Sequence, residues 1–253
     1  MQIKTNKSSL LLFILLGWIC LGSFFSPISL SAQERFRRDV PDPDPLPFLN
    51  LPDIEPIFLS NGLGLTVIRQ NKTPVMHLRM VISKGESSSP ENLPGMATFT
   101  ANMLNRGAGS LNSDQIEEAI ESIGGKLDTV VYPDYTLFSF SFLEDNLDDA
   151  LEILSTMFME PTFLQLEIDN IKRTMFYDIR QKLTDPEFLA KKILYHILFH
   201  NHPFKNIMFN DDVIKNYDRE ALVSFFDSYY RPNNTQIVLI GNINLNTATR
   251  KVT

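Results

Sequence analysis

What most limits the fold of this chain is the period of its apolar residues. It runs at two, switches to about 3.6 over a long middle stretch, and returns to two near the end. Phe58 and Leu59 lead into Asn61-Gly62, a tight-turn pair, after which Leu63, Leu65 and Val67 alternate with Gly64, Thr66 and Ile68. That pattern is a β-hairpin. Residues 76–83 (MHLRMVIS) read as a third strand, and residues 85–94 as a polar, turn-rich loop that delivers the chain to a helix. In that helix, residues 95–106 (GMATFTANMLNR), Met96, Phe99, Met103 and Leu104 recur at helical spacing, and Gly107 follows as its C-cap. Asn112 or Ser113 caps a second helix, with Ile116, Ala119, Ile120 and Ile123 on one side, that ends at Gly124-Gly125. Residues 126–132 and 135–143 are two further strands, the second with Phe138, Phe140 and Phe142 on one face. Helices over about 146–159, 164–183, 186–199 and 219–230 precede a closing strand at 235–240 (TQIVLI). Hairpin-linked strands, then helices, then a strand exclude a doubly wound sheet and predict an α+β fold, a mainly antiparallel sheet packed with helices.

The N-terminal segment has a different character. Residues 1–32 read as an export signal, with a basic start at Lys4 and Lys7, an apolar run over 10–25 and small residues at Ser29, Ser31 and Ala32. A membrane-spanning helix wants about 20 apolar residues, and Gly17, Gly22 and Ser23 interrupt this run. A cleaved signal with a periplasmic or secreted product is therefore preferred to an anchor through residues 10–25. The single cysteine, Cys20, would leave with the signal, so no thiol chemistry is expected. Residues 33–55 form a linker that runs into VPDPDPLPFLNLPDIEP (40–56), whose prolines favour an extended spacer, although Phe48, Leu49 and Leu51 also suit an arm packed on the domain. The folded domain is then residues 56–253. With 30 acidic against 23 basic side chains and a net charge of −7, the chain is ill suited to nucleic acid or anionic membrane surfaces.

Several motifs follow one another in a fixed order. They are Phe58-Leu59-x-Asn61-Gly62-Leu63; Gly85 in its loop; Gly95-Met96-Ala97 opening a helix that closes in Met103-Leu104-x-Arg106-Gly107; and Gly124-Gly125 before a strand. His202-Pro203-Phe204, and Tyr229-Tyr230-x-Pro232-x-Asn234 before a strand ending in Gly241, complete the series. This order resembles the pitrilysin and insulinase family of metallopeptidases, which includes mitochondrial processing peptidase. The resemblance covers approximately residues 56–244 and implies the fold of one domain of such a subunit. It also implies zinc, held by an inverted His-x-x-Glu-His motif in which residues at i, i+3 and i+4 share a helix face. Aligned on Gly95-Met96-Ala97, the three motif positions are Thr98, Ala101 and Asn102, and the family's later glutamate ligand falls at Asp178. Hydroxyl, carboxamide and one carboxylate are a poor zinc set, and Ala101 has no group to serve as a base.

The resemblance also implies a two-halved subunit, and this chain ends at Thr253, shortly after the first half; a truncated and a genuinely half-length protein are both open. In the resembling peptidases a strand beside the metal site pairs with extended substrate. The matching region is 126–132, where Asp128-Thr129 stands in place of the usual Asn-Ala. The expectation is an exported non-catalytic homologue with no cofactor, acting as a structural or peptide-binding partner of a catalytic subunit or as a homo-oligomer. The alternative is an active zinc metalloendopeptidase with rewired ligands. His196, His200 and His202 are the second metal candidate, since His196 and His200 can share a helix face, but structural roles at a helix end are the simpler reading. Glu117, Glu118 and Glu121, like Asp145, Asp148, Asp149 and Glu152, read as solvated helix faces.

Overall fold

The computed structural model describes residues 56–253. The export signal (1–32) and the proline-rich spacer (33–55) lie outside the described residues. Eight strands, β1 (Ile57–Phe58), β2 (Gly64–Arg69), β3 (Val75–Ile82), β4 (Gly107–Ala108), β5 (Leu111–Asn112), β6 (Lys126–Val131), β7 (Thr136–Leu143) and β8 (Thr235–Gly241), alternate with seven helices. The helices are α1 (Met96–Met103), α2 (Ser113–Ser122), α3 (Leu147–Met159), α4 (Gln165–Lys182), α5 (Pro186–Leu198), α6 (Arg219–Tyr229) and α7 (Leu245–Val252). Six strands form one sheet in the order β1-β2-β8-β3-β7-β6, and β4 with β5 makes a separate small ribbon. All pairings are antiparallel except β2 with β8, so the fold is the expected α+β one.

The hairpin forms where the turn pair stands. Gly62 has φ +87°, and the N–H of Leu59 donates to Leu63 O at 2.9 Å. The closing strand forms as β8 and lies inside the sheet, parallel to β2 and antiparallel to β3. Apolar alternation states which face is buried and not which neighbours a strand takes. Gly241 at its end permits the contact, since a Cβ there would lie 2.7 Å from Met76 Cγ.

The core lies against one face of the sheet. Leu78, Phe138, Phe140 and Phe142 are buried there, with Ala150, Leu154 and Met157 of α3 opposite and Phe158 edge-on to Phe138 at 4.9 Å. The first helix is shorter than expected. It ends at Met103, and Gly107 (φ +154°) opens β4 instead of capping the helix; a Cβ there would lie 2.5 Å from Thr162 Oγ1. The second helix is capped by Asn112, whose Oδ1 accepts from the N–H of Gln115 while Gln115 Oε1 accepts from the N–H of Asn112. The β4–β5 ribbon and α7, with Asn244 as its cap, carry too few residues to show a period and were not anticipated.

Candidate functional site

The site grows from the loop before α1. Gly95, the first helical cap, has φ +93°, and a Cβ on it would lie 2.3 Å from both Phe209 Cζ and the Tyr217 hydroxyl oxygen, so glycine is required by conformation and by space. Upstream, the N–H groups of Glu86 and Ser87 donate to Tyr132 O (2.9 Å) and Pro133 O (2.8 Å), which pins the loop onto the β6–β7 turn.

This pinning buries Glu86, at 8% exposure, under the start of α1. Its carboxylate accepts from the N–H of Gly95 at 2.6 Å, from the N–H of Thr98 at 3.2 Å, and from the hydroxyls of Ser89 and Thr98, both at 2.7 Å. Ser89 Oγ in turn accepts from the N–H of Ala97 at 3.0 Å. Glu86 and Ser89 together thus satisfy the N–H groups of Gly95, Ala97 and Thr98 at the helix start, and a negative charge there suits the helix dipole. Burial pushes the Glu86 carboxyl above its ordinary value, against the opposing pull of its hydrogen bonds from Thr98, Ser89 and Gly95. Tyr217 donates its hydroxyl to Pro94 O, and burial raises its phenol well beyond the usual range. No period or motif marks Glu86 in the sequence; its one signal is an acid nine residues before Gly95, followed by three serines.

Thr98 and Asn102 are one turn apart on α1, which packs against α4 and α6. With Asp178 of α4 they line one cavity of about 300 Å³, together with Glu86, Lys182 and, from the strand side, Val131 and Tyr132. Ala101 is buried in the core and is absent from the lining. The donors facing the cavity are neutral oxygen from Thr98 and Asn102 and carboxylate from Asp178 and Glu86, and the Thr98 hydroxyl proton is already spent on Glu86.

Along the cavity runs β6, the last strand of the sheet. Tyr132 N bonds Tyr135 O at 2.8 Å, which sets the phase of the ladder. Opposed pairs alternate between bonded and non-bonded, so Leu127, Thr129 and Val131, opposite Phe140, Phe138 and Thr136, turn their N–H and C=O groups away from β7. No turn, loop or cap backbone bond from the described residues reaches them. Asp128 is bonded to β7 through its backbone, and its exposed side chain pairs with Lys126 at 2.7 Å.

The histidines stand apart from this site. His196, in the last turn of α5, lines a different cavity, while His202 Nδ1 accepts from the N–H of Phe204 at 3.3 Å and its ring meets that of Phe204 edge-on at 4.6 Å. His200 is exposed beyond the helix end. Among the described residues no group of three His, Cys, Asp or Glu has the geometry to hold a metal ion. Glu117, Glu118 and Glu121 are exposed along α2.

Comparison with known proteins agrees with this frame. The family model of insulinase, peptidase family M16, matches residues 65–212. An uncharacterized zinc protease of Bacillus subtilis, YmxG, is 22% identical over 183 residues, 71% of this chain and 45% of that protein. The non-peptidase homolog YmxG of Helicobacter pylori is 24% identical over 196 residues, 73% of this chain and 45% of that protein. Among solved structures, an inactive M16 peptidase domain from Pseudomonas fluorescens superposes with a TM-score of 0.75 at 23% identity, covering 79% of this chain and 49% of that one. The first half of the periplasmic protease PqqL from Escherichia coli does so with a TM-score of 0.70 at 20% identity, covering 79% and 44%. The chain spans about half the length of these relatives. On the family match, the resemblance is membership: this chain belongs to the insulinase family, peptidase family M16.

Proposed function

We propose that this protein is an exported, non-catalytic M16 half that binds extended peptides and works beside a second M16-type half in a partner chain. The observation that carries the reading is the donor set at the family's metal positions. Thr98, Asn102 and Asp178 surround one cavity but offer zinc two neutral oxygens and one carboxylate, and the third motif position is Ala101. Zinc needs imidazole, thiolate or several carboxylates in a tetrahedral array, so the residues present do not fit it. With Ala101 buried and without a titratable group, no base stands where a water would be activated. What remains is recognition. The outward backbone groups of Leu127, Thr129 and Val131 suit strand addition, which requires no metal and no particular side chain. Of the pair Asp128 and Thr129, Thr129 turns its backbone groups to this open edge, whereas those of Asp128 are spent on β7.

The partner role is supported by α5, which has no buried residue and exposes Leu189, Ile193, Leu194, Ile197 and Leu198. An M16-type half is the occupant suggested by relatives about twice as long. Export is supported by the basic and apolar opening of residues 1–32 and by the periplasmic relative. No helix among the described residues is long and apolar enough to cross a membrane.

The test is metal content after zinc loading and dialysis, read with cleavage of unstructured peptides. We expect no retained zinc and no zinc-dependent cleavage. The same chain carrying Thr98→His, Ala101→Glu, Asn102→His and Asp178→Glu should retain roughly one zinc. One zinc per unaltered chain, lost in His196→Ala together with a cleavage activity, would overturn the reading in favour of rewired ligands.

A further inference from the structure

The cavity beside β6 has a chemistry of its own, and the following inference rests on the reading of β6 as a peptide-pairing edge. Side chains alternate across a strand. A peptide paired with Leu127, Thr129 and Val131 therefore sends every second side chain to the face on which those residues are half-buried, the face packed by helices. The cavity opens there, since Val131 and Tyr132 belong to both the strand end and the lining. At about 300 Å³ it is at the small end for ligand sites and has room for a long side chain.

Its walls sort by type. Met175, Ile179, Met208 and Phe209 supply apolar surface, while Glu86, Thr98, Asn102 and Asp178 bring side-chain oxygens and Lys182 an ammonium. Thr98 Oγ1 has spent its proton on Glu86 and meets a newcomer as an acceptor. Asn102 offers its carboxamide oxygen. Asp178 has no ion pair within reach among the described residues, although Lys182 stands one turn along α4 and also lines the cavity. Asp178 is thus the carboxylate of the lining with room for a further partner, because each oxygen of Glu86 already accepts two hydrogen bonds. An aliphatic stem against the apolar wall and a donor-only cationic head against the oxygens is the description of a lysine or arginine side chain.

We infer that the cavity between α1, α4 and the β6 end takes the basic side chain of an extended peptide paired along β6, so that the protein selects peptides carrying Lys or Arg. Asp178 meets the cation directly. Asn102 and Thr98 accept its remaining N–H groups. Lys182 opposes it at the rim and sets how strongly the charge is preferred.

The experiment uses the purified protein and fluorescein-labelled ten-residue peptides of strand-forming sequence that differ at one central position, which is Lys, Arg, norleucine or Glu, read by anisotropy at two salt concentrations. The Lys and Arg peptides should bind about tenfold more tightly than the norleucine peptide, with the Glu peptide weakest and the preference reduced by salt. Asp178→Asn, a surface change that leaves the core intact, should bring the Lys and norleucine peptides to within about threefold of each other without weakening the norleucine peptide, and Lys182→Gln should widen the gap. If no peptide binds, the edge-pairing reading falls and this inference falls with it. If all four peptides bind equally, or the preference survives Asp178→Asn, pairing along β6 stands and the basic-side-chain assignment is overturned.

Discussion

Two apolar-rich helices of this molecule meet opposite fates. In α1, Met96, Ala97, Phe99, Thr100, Ala101 and Met103 are buried, held between α4 and α6 with β6 alongside. In α5 no residue is buried, and Ile193 and Ile197 are 60% and 67% exposed, because the helix packs chiefly on the short turn Pro203–Asn206. Apolar content therefore does not decide burial; the position of the helix in the layer does. The apolar residues of α1 serve this chain's own core, and those of α5 are available to another surface.

The sharpest way to break this contrast is to remove mass from α1. Phe99 is fully buried and packs on Tyr217 with ring centroids 5.0 Å apart. Phe99→Ala should cost about 4 kcal/mol in denaturant unfolding. Gly95→Ala, at the start of the same helix, should cost about 3 kcal/mol, from a left-handed backbone and a Cβ driven against Phe209 and Tyr217. A thermal midpoint unchanged in either variant would deny that the helix start is as tightly held as its geometry indicates.

Next is Glu86→Gln. The amide presents donors where Gly95 and Thr98 already donate, so we expect a loss of about 2 kcal/mol at neutral pH. The variant also sharpens a pH argument. Burial raises the folded carboxyl above the ordinary 4.5, so between that value and the raised one the native state holds more protons than the unfolded chain. Stability from this group is therefore greatest at low pH and falls as pH rises through that window. Unfolding midpoints measured against pH should show this falling limb in the unaltered protein relative to Glu86→Gln, and its absence from the difference would refute the assignment.

The smallest effect belongs to α5. Ile193→Glu with Ile197→Glu should change the stability of the isolated chain by no more than about 0.5 kcal/mol per site, while weakening association with a partner half measured by sedimentation. A loss as large as that of Phe99→Ala would show α5 to be part of the core after all.

Some of this was legible in residues alone. The stripe Phe138, Phe140, Phe142 has the period of a strand with one covered face, and all three are buried. The start of the second helix was placed at Asn112 or Ser113 because capping is local chemistry within four residues, and Asn112 is the cap. Thr98 and Asn102 shared a helix face by spacing, and Asp178 came from the family resemblance. Their meeting around one cavity with Glu86 was not readable, because it depends on how α4 and the loop before α1 pack on that helix. Glu86 itself has no periodic neighbours to mark it.

By itself, then, the sequence determined what short-range chemistry can determine, namely which of the longer segments are strands or helices, which face of each is apolar, where Asn61-Gly62 turns the chain, and that imidazole and glutamate are missing at Thr98, Ala101 and Asn102. The tertiary structure decided what depends on non-local contact. Among the described residues it placed β8 between β2 and β3, left the backbone of β6 unpaired on one side, buried Glu86 beneath α1 and left α5 uncovered. The physical reason is that periodicity and capping act through neighbours a few residues apart, whereas strand order, cavities and uncovered faces are set by the packing of residues distant in the chain.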